Sequence, residues 1–162
     1  MRYDSLAMTV STDSTALQII RMINAPRERV YAAWTDADLA IQWWGPDGCV
    51  TEELILEAWR GGRFRWLLRT AEGEKVNIQG KYRVVHPPEK IVHTWQWIGA
   101  PEWKDAMSTV TVEFCEKEDN TVTELRLTHE KLLDELSRDN HINGWNNALD
   151  KLERLFEANS RV

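Results

Sequence analysis

The sequence HINGWNNALDKLERLFEAN, residues 141–159, is the segment around which the rest of the chain is expected to fold. Its large apolar residues recur at intervals of three and four, which places them along one face of an α-helix. Asp150 and Arg154 are four residues apart on the other side and are expected to pair across one turn. A helix of this length needs a large apolar partner, because intrinsic propensity alone rarely stabilises it. The apolar face consists of Trp145, Leu149, Leu152 and Phe156.

The sequence before this helix reads as strands joined by short turns. We expect strands at residues 16–24, 50–59, 63–70, 75–85, 90–98, 108–115 and 121–130, and short helices at 27–34 and 37–43. Short connections imply antiparallel pairing, and Gly80 in mid-strand suggests a bulge or bend that lets the sheet curl. The predicted fold class is therefore α+β. A curved, antiparallel, seven-stranded sheet wraps around a long C-terminal helix, with two short helices after the first strand.

Length and composition indicate one globular domain, with residues 1–15 as a flexible leader and residues 16–162 as the domain. The leader lacks the apolar core and basic start of a signal peptide, and no apolar run approaches the roughly 20 residues of a membrane span. A formal net charge of −6 argues against a nucleic-acid partner. Cys49 and Cys115 are isolated, which is typical of a protein in the reducing cytoplasm.

No catalytic or cofactor motif is present in the sequence. GxSxG, HExxH, GxGxxG and GxxxxGK[ST] are all missing. The four histidines are scattered, so we expect no metal site, and nothing implies a cofactor. Whether the protein is an enzyme stays open at this point.

Nine tryptophans in 162 residues are the most unusual feature of the composition. Tryptophans fill large cores, but their rigid rings also form the walls of pockets for apolar ligands. His93 and His129 alternate with apolar residues and are expected to point inward, either hydrogen-bonded in the core or facing a ligand. The candidate residues for the lining of a cavity between helix and sheet are Trp44, Trp66, His93, Trp95, Trp97, His129, Trp145, Asn146 and Leu149.

Six segments carry a resemblance to a known family. They are APRERVYAAWTDADLAIQWWGP (25–46), WRGGRFRW (59–66), GKYRVVHPPEKIVHTWQW (80–97), STVTVEF (108–114), TELRLTHE (123–130) and GWNNALDKLERLF (144–156). In this order they resemble the SRPBCC, or START-like, superfamily, over residues 16–158. Within it the chain is similar to the branch named after activators of the heat-shock protein 90 ATPase. The resemblance implies the helix-grip fold of the birch-pollen allergens and no universal catalytic residue.

Three hypotheses for function follow, because fold alone does not settle function. Most members of the superfamily hold small apolar or lipid-like molecules between helix and sheet, and we rank such binding first. Some are cyclases, dehydratases or hydrolases, so the second hypothesis is an enzyme that uses His93 or His129. Others bind a chaperone, so the third is a partner-binding module, with Trp103 in the loop 99–106 as part of its surface. A homodimer is compatible with all three.

Overall fold

A computed structural model describes residues 8–101 and 106–159 of the chain. One antiparallel sheet has the strand order β1-β2-β8-β7-β6-β5-β4-β3 and packs against a long C-terminal helix, α3. The predicted helix-grip architecture is confirmed, and the seven predicted strands are present as β2 to β8. The elements are β1 (Met8–Asp13), β2 (Ala16–Ile23), α1 (Arg27–Thr35), α2 (Ala37–Ala40), β3 (Val50–Leu56), β4 (Arg63–Arg69), β5 (Lys75–His86), β6 (Lys90–Ile98), β7 (Met107–Lys117), β8 (Val122–Glu130) and α3 (Glu135–Asn159).

The eighth strand, β1, lies in the segment that we expected to be part of a flexible leader. It pairs with β2, placing Met8 opposite Ile20. The turn between the two strands is stabilised by the backbone N–H of Thr15, which donates to Asp13 Oδ1 at 2.7 Å. Pairing with β1 satisfies the backbone groups that β2 would otherwise expose at the edge of the sheet. Residues 1–7 of the predicted leader lie outside the described residues.

Helix α3 begins six residues before the predicted start at His141. The carboxylate of Asp134 accepts a hydrogen bond from the backbone N–H of Ser137 at 2.8 Å, which satisfies a free donor of the first turn. The long helix therefore also includes residues 135–140. Its predicted apolar face is buried against the sheet, with Trp145, Leu149, Leu152 and Phe156 each at most 5% exposed.

Gly80 is required by the close approach of two neighbouring strands. A Cβ added to Gly80 would lie 1.8 Å from the carbonyl oxygen of Thr94 on β6, which no side chain tolerates. The pairing of β5 with β6 shifts register between Tyr82 and Val84, a few residues beyond the predicted position of the bulge. The glycine and this irregularity together allow the sheet to curl toward α3.

A buried arginine fixes α3 on the sheet. Arg21 of β2 is 2% exposed, and its guanidinium contacts three side chains of α3. Nη1 donates to Asp150 Oδ1 at 2.8 Å and to Glu153, and Nη2 donates to Asn146 Oδ1 at 2.9 Å. Asp150 thus forms its ion pair with Arg21, not within the helix with Arg154 as we had predicted.

Six tryptophans form a continuous network of rings in the core. Neighbouring ring centroids lie 4.7–5.9 Å apart. Trp43 also donates its indole N–H to the carbonyl of Ala33 at 3.1 Å, which holds the segment after α2 against α1. Much of the tryptophan content is therefore core, as one of the two sequence interpretations expected. The network consists of Trp34, Trp43, Trp44, Trp66, Trp95 and Trp145.

Candidate functional site

A cavity of about 290 Å³ lies between the first half of α3, strands β4 to β6 and the segment that follows α2. Five of the nine predicted site residues line it, and all five are tryptophans. The sequence alternation explains the walls contributed by the sheet: Trp66 and Leu68 on β4, Val76 and Ile78 on β5, and Trp95 and Trp97 on β6. The full lining is Trp44, Gly45, Pro46, Cys49, Trp66, Leu68, Thr70, Glu74, Val76, Ile78, Trp95, Trp97, Asn140, His141, Gly144, Trp145 and Ala148.

The tryptophan rings meet at varied angles and enclose the cavity from several directions. The rings of Trp44 and Trp66 are nearly perpendicular, at 88° with centroids 5.9 Å apart. Trp145 meets Trp44 at 80° and Trp95 at 44°. The indole N–H of Trp66 donates to Thr51 Oγ1 at 3.1 Å, which fixes the orientation of that ring. These walls are rigid and mostly apolar.

The helix contributes residues that the sequence analysis missed. Asn140, His141, Gly144 and Ala148 line the cavity beside Trp145. The spacing 141, 144, 145, 148 is that of one helical face, so this signal was present in the sequence. Thr70 and Glu74 in the β4–β5 turn, and Cys49 in the loop before β3, have no comparable local pattern.

His129 does not line the cavity, although it was a candidate. It is fully buried, and its Nδ1 accepts a hydrogen bond from the indole N–H of Trp145 at 3.1 Å. The proton therefore resides on Nε2, which donates to Ser108 Oγ at 2.7 Å, and Ser108 donates in turn to the carbonyl of Trp95 at 2.9 Å. Burial, reinforced by His141 and His93, lowers the pKa of His129 well below its usual value. The imidazole is a neutral bridge between α3 and the sheet.

The pair formed by Ser108 and His129 has the wrong hydrogen-bond direction for nucleophilic catalysis. A histidine that activates a serine accepts the hydroxyl proton, whereas His129 donates to Ser108. Both ring nitrogens already have protein partners, so neither is available to a substrate. The arrangement does not support the enzyme hypothesis as we framed it on His129.

His93 is also a core residue outside the cavity lining. It is 1% exposed and stacks on Phe64, with centroids 4.3 Å apart. Its Nδ1 donates to the carbonyl of Thr94 at 2.8 Å, and burial lowers its pKa to about 4. His141 does line the cavity and is likewise neutral: burial lowers its pKa, Nδ1 donates to the Ser137 carbonyl, and Nε2 accepts from Trp97.

Two helix residues among the candidates face other parts of the protein. The amide of Asn146 binds Arg21, and Leu149 is fully buried in the core. Both lie on or beside the predicted apolar face, but the cavity opens against the face that carries His141 and Gly144. Trp103, the candidate for a partner surface, lies outside the described residues.

The described residues contain no group of three His, Cys, Asp or Glu side chains that could hold a metal ion. In the same part of the chain, no helix is both long and apolar enough to cross a membrane.

Comparison with known proteins identifies relatives of this chain. The family model for Activator of Hsp90 ATPase homolog 1-like protein matches residues 24–157. A crystal structure of a protein from Chromobacterium violaceum is 26% identical, with a TM-score of 0.80, covering 88% of this chain and 97% of that one. An AHSA1 protein from Silicibacter pomeroyi is 26% identical, with a TM-score of 0.77 and coverages of 89% and 99%.

A third solved structure carries a functional description. The crystal structure of an HSP90 activator from Plasmodium falciparum is 26% identical, with a TM-score of 0.64, covering 87% of this chain and 95% of that one. A search of curated proteins found no match. Because the family model covers most of the sequence, the chain belongs to the Activator of Hsp90 ATPase homolog 1-like family.

Proposed function

We propose that the protein binds a small, largely apolar molecule in the tryptophan-lined cavity between α3 and the sheet. The observation that carries this proposal is the convergence of five tryptophans on one space of about 290 Å³. Pockets for small molecules are typically about 300–1,000 Å³ and mostly apolar, with a few polar groups. The volume is at the small end of that range, so the ligand is a compact ring system, not a long lipid chain.

The polar side chains of the lining are expected to hydrogen-bond the polar end of the ligand and so to orient it. Walls of Leu68, Val76 and Ile78 complete the apolar part of the cavity, while Thr70, Glu74 and Asn140 contribute polar groups. A ligand that enters this space transfers its apolar surface from water to the protein, which stabilises the complex by roughly 25 cal/mol per Å² of surface buried. For a ligand of about 17 heavy atoms, we expect a Kd of roughly 10–100 µM.

The direct test is to fill the cavity from the helix. Gly144 lines the cavity, and a Cβ added there would meet only Pro46 Cβ, at 4.0 Å. The Cβ of Gly144→Leu therefore meets no clash, the rest of the side chain is expected to occupy the cavity, and leucine favours the helix over glycine by about 0.8 kcal/mol. We expect the variant to remain folded and to bind N-phenyl-1-naphthylamine, a neutral fluorescent probe, at least tenfold more weakly than the parent protein.

The control is Asn143→Leu, which adds the same side chain at the neighbouring, exposed helix position. Its probe affinity should equal that of the parent, and circular dichroism should show that both variants keep their secondary structure. The proposal fails if the parent shows no saturable binding, or if Gly144→Leu binds the probe as tightly as Asn143→Leu does.

A second candidate function is binding of a partner protein, and a separate groove favours it. This groove, of about 630 Å³, lies on the outer face of β5 and β6 and includes Gln79, Thr94 and Met107. Three cations line it, and within the described part of the chain none of them forms an ion pair. In a protein of net charge −6, such a concentration of free positive charge fits an acidic segment of a partner. The cations are Arg60, Lys81 and Arg83.

The relative described as an HSP90 activator makes heat-shock protein 90 the first partner to test. We expect purified heat-shock protein 90 to bind the parent, and the triple variant Arg60→Glu, Lys81→Glu, Arg83→Glu to bind at least tenfold more weakly in a calorimetric titration. The control carries the same charge reversal at Lys75, Lys131 and Arg154, which are exposed outside the groove. Equal binding by the two triple variants, or no binding by the parent, would remove this candidate.

A further inference from the structure

We infer that the ligand of the cavity is an apolar cation, such as an aromatic or quaternary amine, and not a carboxylate-bearing molecule. This inference rests on the proposed ligand-binding function. It concerns the charge of the ligand, which the shape and apolar character of the cavity leave open.

The charge distribution of the lining is the first observation. Among the described residues that line the cavity, Glu74 is the one charged side chain, and none is a lysine or an arginine. His141 is held neutral by burial, which lowers its pKa. Lys151 lies nearby, but it is outside the lining and its ammonium donates to the carbonyl of Gly45 at 2.6 Å. A bound anion would meet a like charge at Glu74 and no cation within the described lining.

The second observation is that the indole N–H groups of the five lining tryptophans are not open to a ligand. Those of Trp66, Trp97 and Trp145 donate to Thr51, His141 and His129. Those of Trp44 and Trp95 have no hydrogen-bond partner, but they are enclosed and have no surface that a ligand could contact. A carboxylate ligand needs hydrogen-bond donors, and these tryptophans do not supply them. What they present to a ligand is ring surface.

Ring surface surrounding a small space favours a cation. The face of a tryptophan ring carries negative electrostatic potential, and each cation–π contact contributes roughly 0.5–2 kcal/mol, with tryptophan the strongest of the aromatic side chains. Nearly perpendicular rings, such as those of Trp44 and Trp66, allow one cation to contact more than one face. The negatively charged carboxylate of Glu74 also attracts a cationic ligand, over a longer range.

Matched ligands separate charge from shape. Benzyltrimethylammonium and neopentylbenzene have the same carbon skeleton, except that a cationic nitrogen in one replaces a neutral carbon in the other. We expect benzyltrimethylammonium to displace N-phenyl-1-naphthylamine from the parent protein with at least tenfold lower Kd than neopentylbenzene. 4-tert-Butylbenzoate, an anion of similar size, should bind more weakly than either.

A substitution that removes the negative charge at the cavity provides the second readout. Glu74→Gln should weaken benzyltrimethylammonium binding three- to tenfold and leave neopentylbenzene binding unchanged. Glu113→Gln, on an exposed position of β7, is the matched control and should change neither affinity.

The outcomes distinguish this inference from the function on which it rests. If neopentylbenzene binds as tightly as the ammonium compound, or if 4-tert-butylbenzoate binds best, the inference is overturned while ligand binding stands. If the neutral fluorescent probe itself does not bind, the proposed function fails first, and the inference fails with it.

Discussion

Between pH 7 and pH 4.5 the free energy of unfolding of this protein is expected to fall by several kcal/mol. His93, His129 and His141 are buried, and burial lowers the pKa of each in the folded state. In the unfolded chain each has the usual value of about 6.5. Below that pH the unfolded state therefore binds more protons than the folded state, and stability decreases as the pH falls. Each histidine contributes up to about 1.4 kcal/mol per pH unit.

His93, whose pKa burial lowers to about 4, places the lower limit of this window near pH 4. Asp13, Glu28 and Glu57 have lowered pKa values as well, because hydrogen bonds favour their charged forms. Their contribution is lost at lower pH, near and below their ordinary values of 3.8 and 4.5. The interval from pH 6.5 to about 5 therefore reports mainly on the histidines.

Urea unfolding at half-unit steps from pH 7.5 to 4.5 measures the effect. His93→Phe keeps a ring stacked on Phe64 and removes one titrating group, so its stability should depend less steeply on pH than that of the parent. His86 is exposed, with 68% of its side chain accessible, and His86→Gln should leave the slope unchanged. A free energy of unfolding that is flat between pH 7 and pH 5 would contradict the neutral, buried assignment of the three imidazoles.

Removal of the Arg21 guanidinium should destabilise the protein by about 2–4 kcal/mol. Breaking a buried ion pair by deleting one partner typically costs 3–5 kcal/mol, because the remaining charge stays buried without compensation. Here Glu153 keeps only 13% of its side chain exposed, whereas Asp150 keeps 51% and regains water more easily. The expected loss for Arg21→Met is therefore below the full range. It corresponds to a decrease in Tm of roughly 5–15 °C.

The matched control lies on the neighbouring strand. Arg126 pairs with Glu124 at 3.1 Å, but 43% of its side chain is exposed, so Arg126→Met should cost less than 1 kcal/mol. Adding Glu153→Leu to Arg21→Met should recover part of the lost stability, since it removes a mostly buried carboxylate that has lost its contact with the guanidinium. If Arg21→Met unfolds within 0.5 kcal/mol of the parent, the guanidinium does not anchor the helix.

The parts of the fold that could be predicted are those with strong periodicity. The spacing of Trp145, Leu149, Leu152 and Phe156 defined the buried face of α3, and β4 and β6 followed from strict alternation of apolar and polar residues. The edge strand β1 was missed because residues 8–13 have little apolar pattern, and their pairing depends on the exposed edge of β2. The start of α3 was missed because its first turn is capped by Asp134, and its one large apolar residue, Leu136, is exposed and does not extend the buried face.

The candidate site was predicted in part for a similar reason. Alternation on strands placed Trp66, Trp95 and Trp97 on the inner face, and the structure brings them to one cavity. Alternation also placed His93 and His129 inward, but it gives only the direction of a side chain. Which inward residues reach an empty space, and which are enclosed by their neighbours, depends on the packing of α3 across the sheet. That packing is set by distant contacts, such as those of Arg21, that no local pattern encodes.

The ring network in the core has a consequence for optical measurements on this protein. Indoles whose centroids are 4.7–5.9 Å apart exchange excitation energy readily, so light absorbed by one of the six linked tryptophans is passed to the others. A molecule that quenches one ring on the cavity wall will therefore dim emission from rings that it never touches, including Trp43. Trp59, with 60% of its surface exposed and outside the network, will keep emitting at the long wavelengths of a hydrated indole and serve as an internal reference.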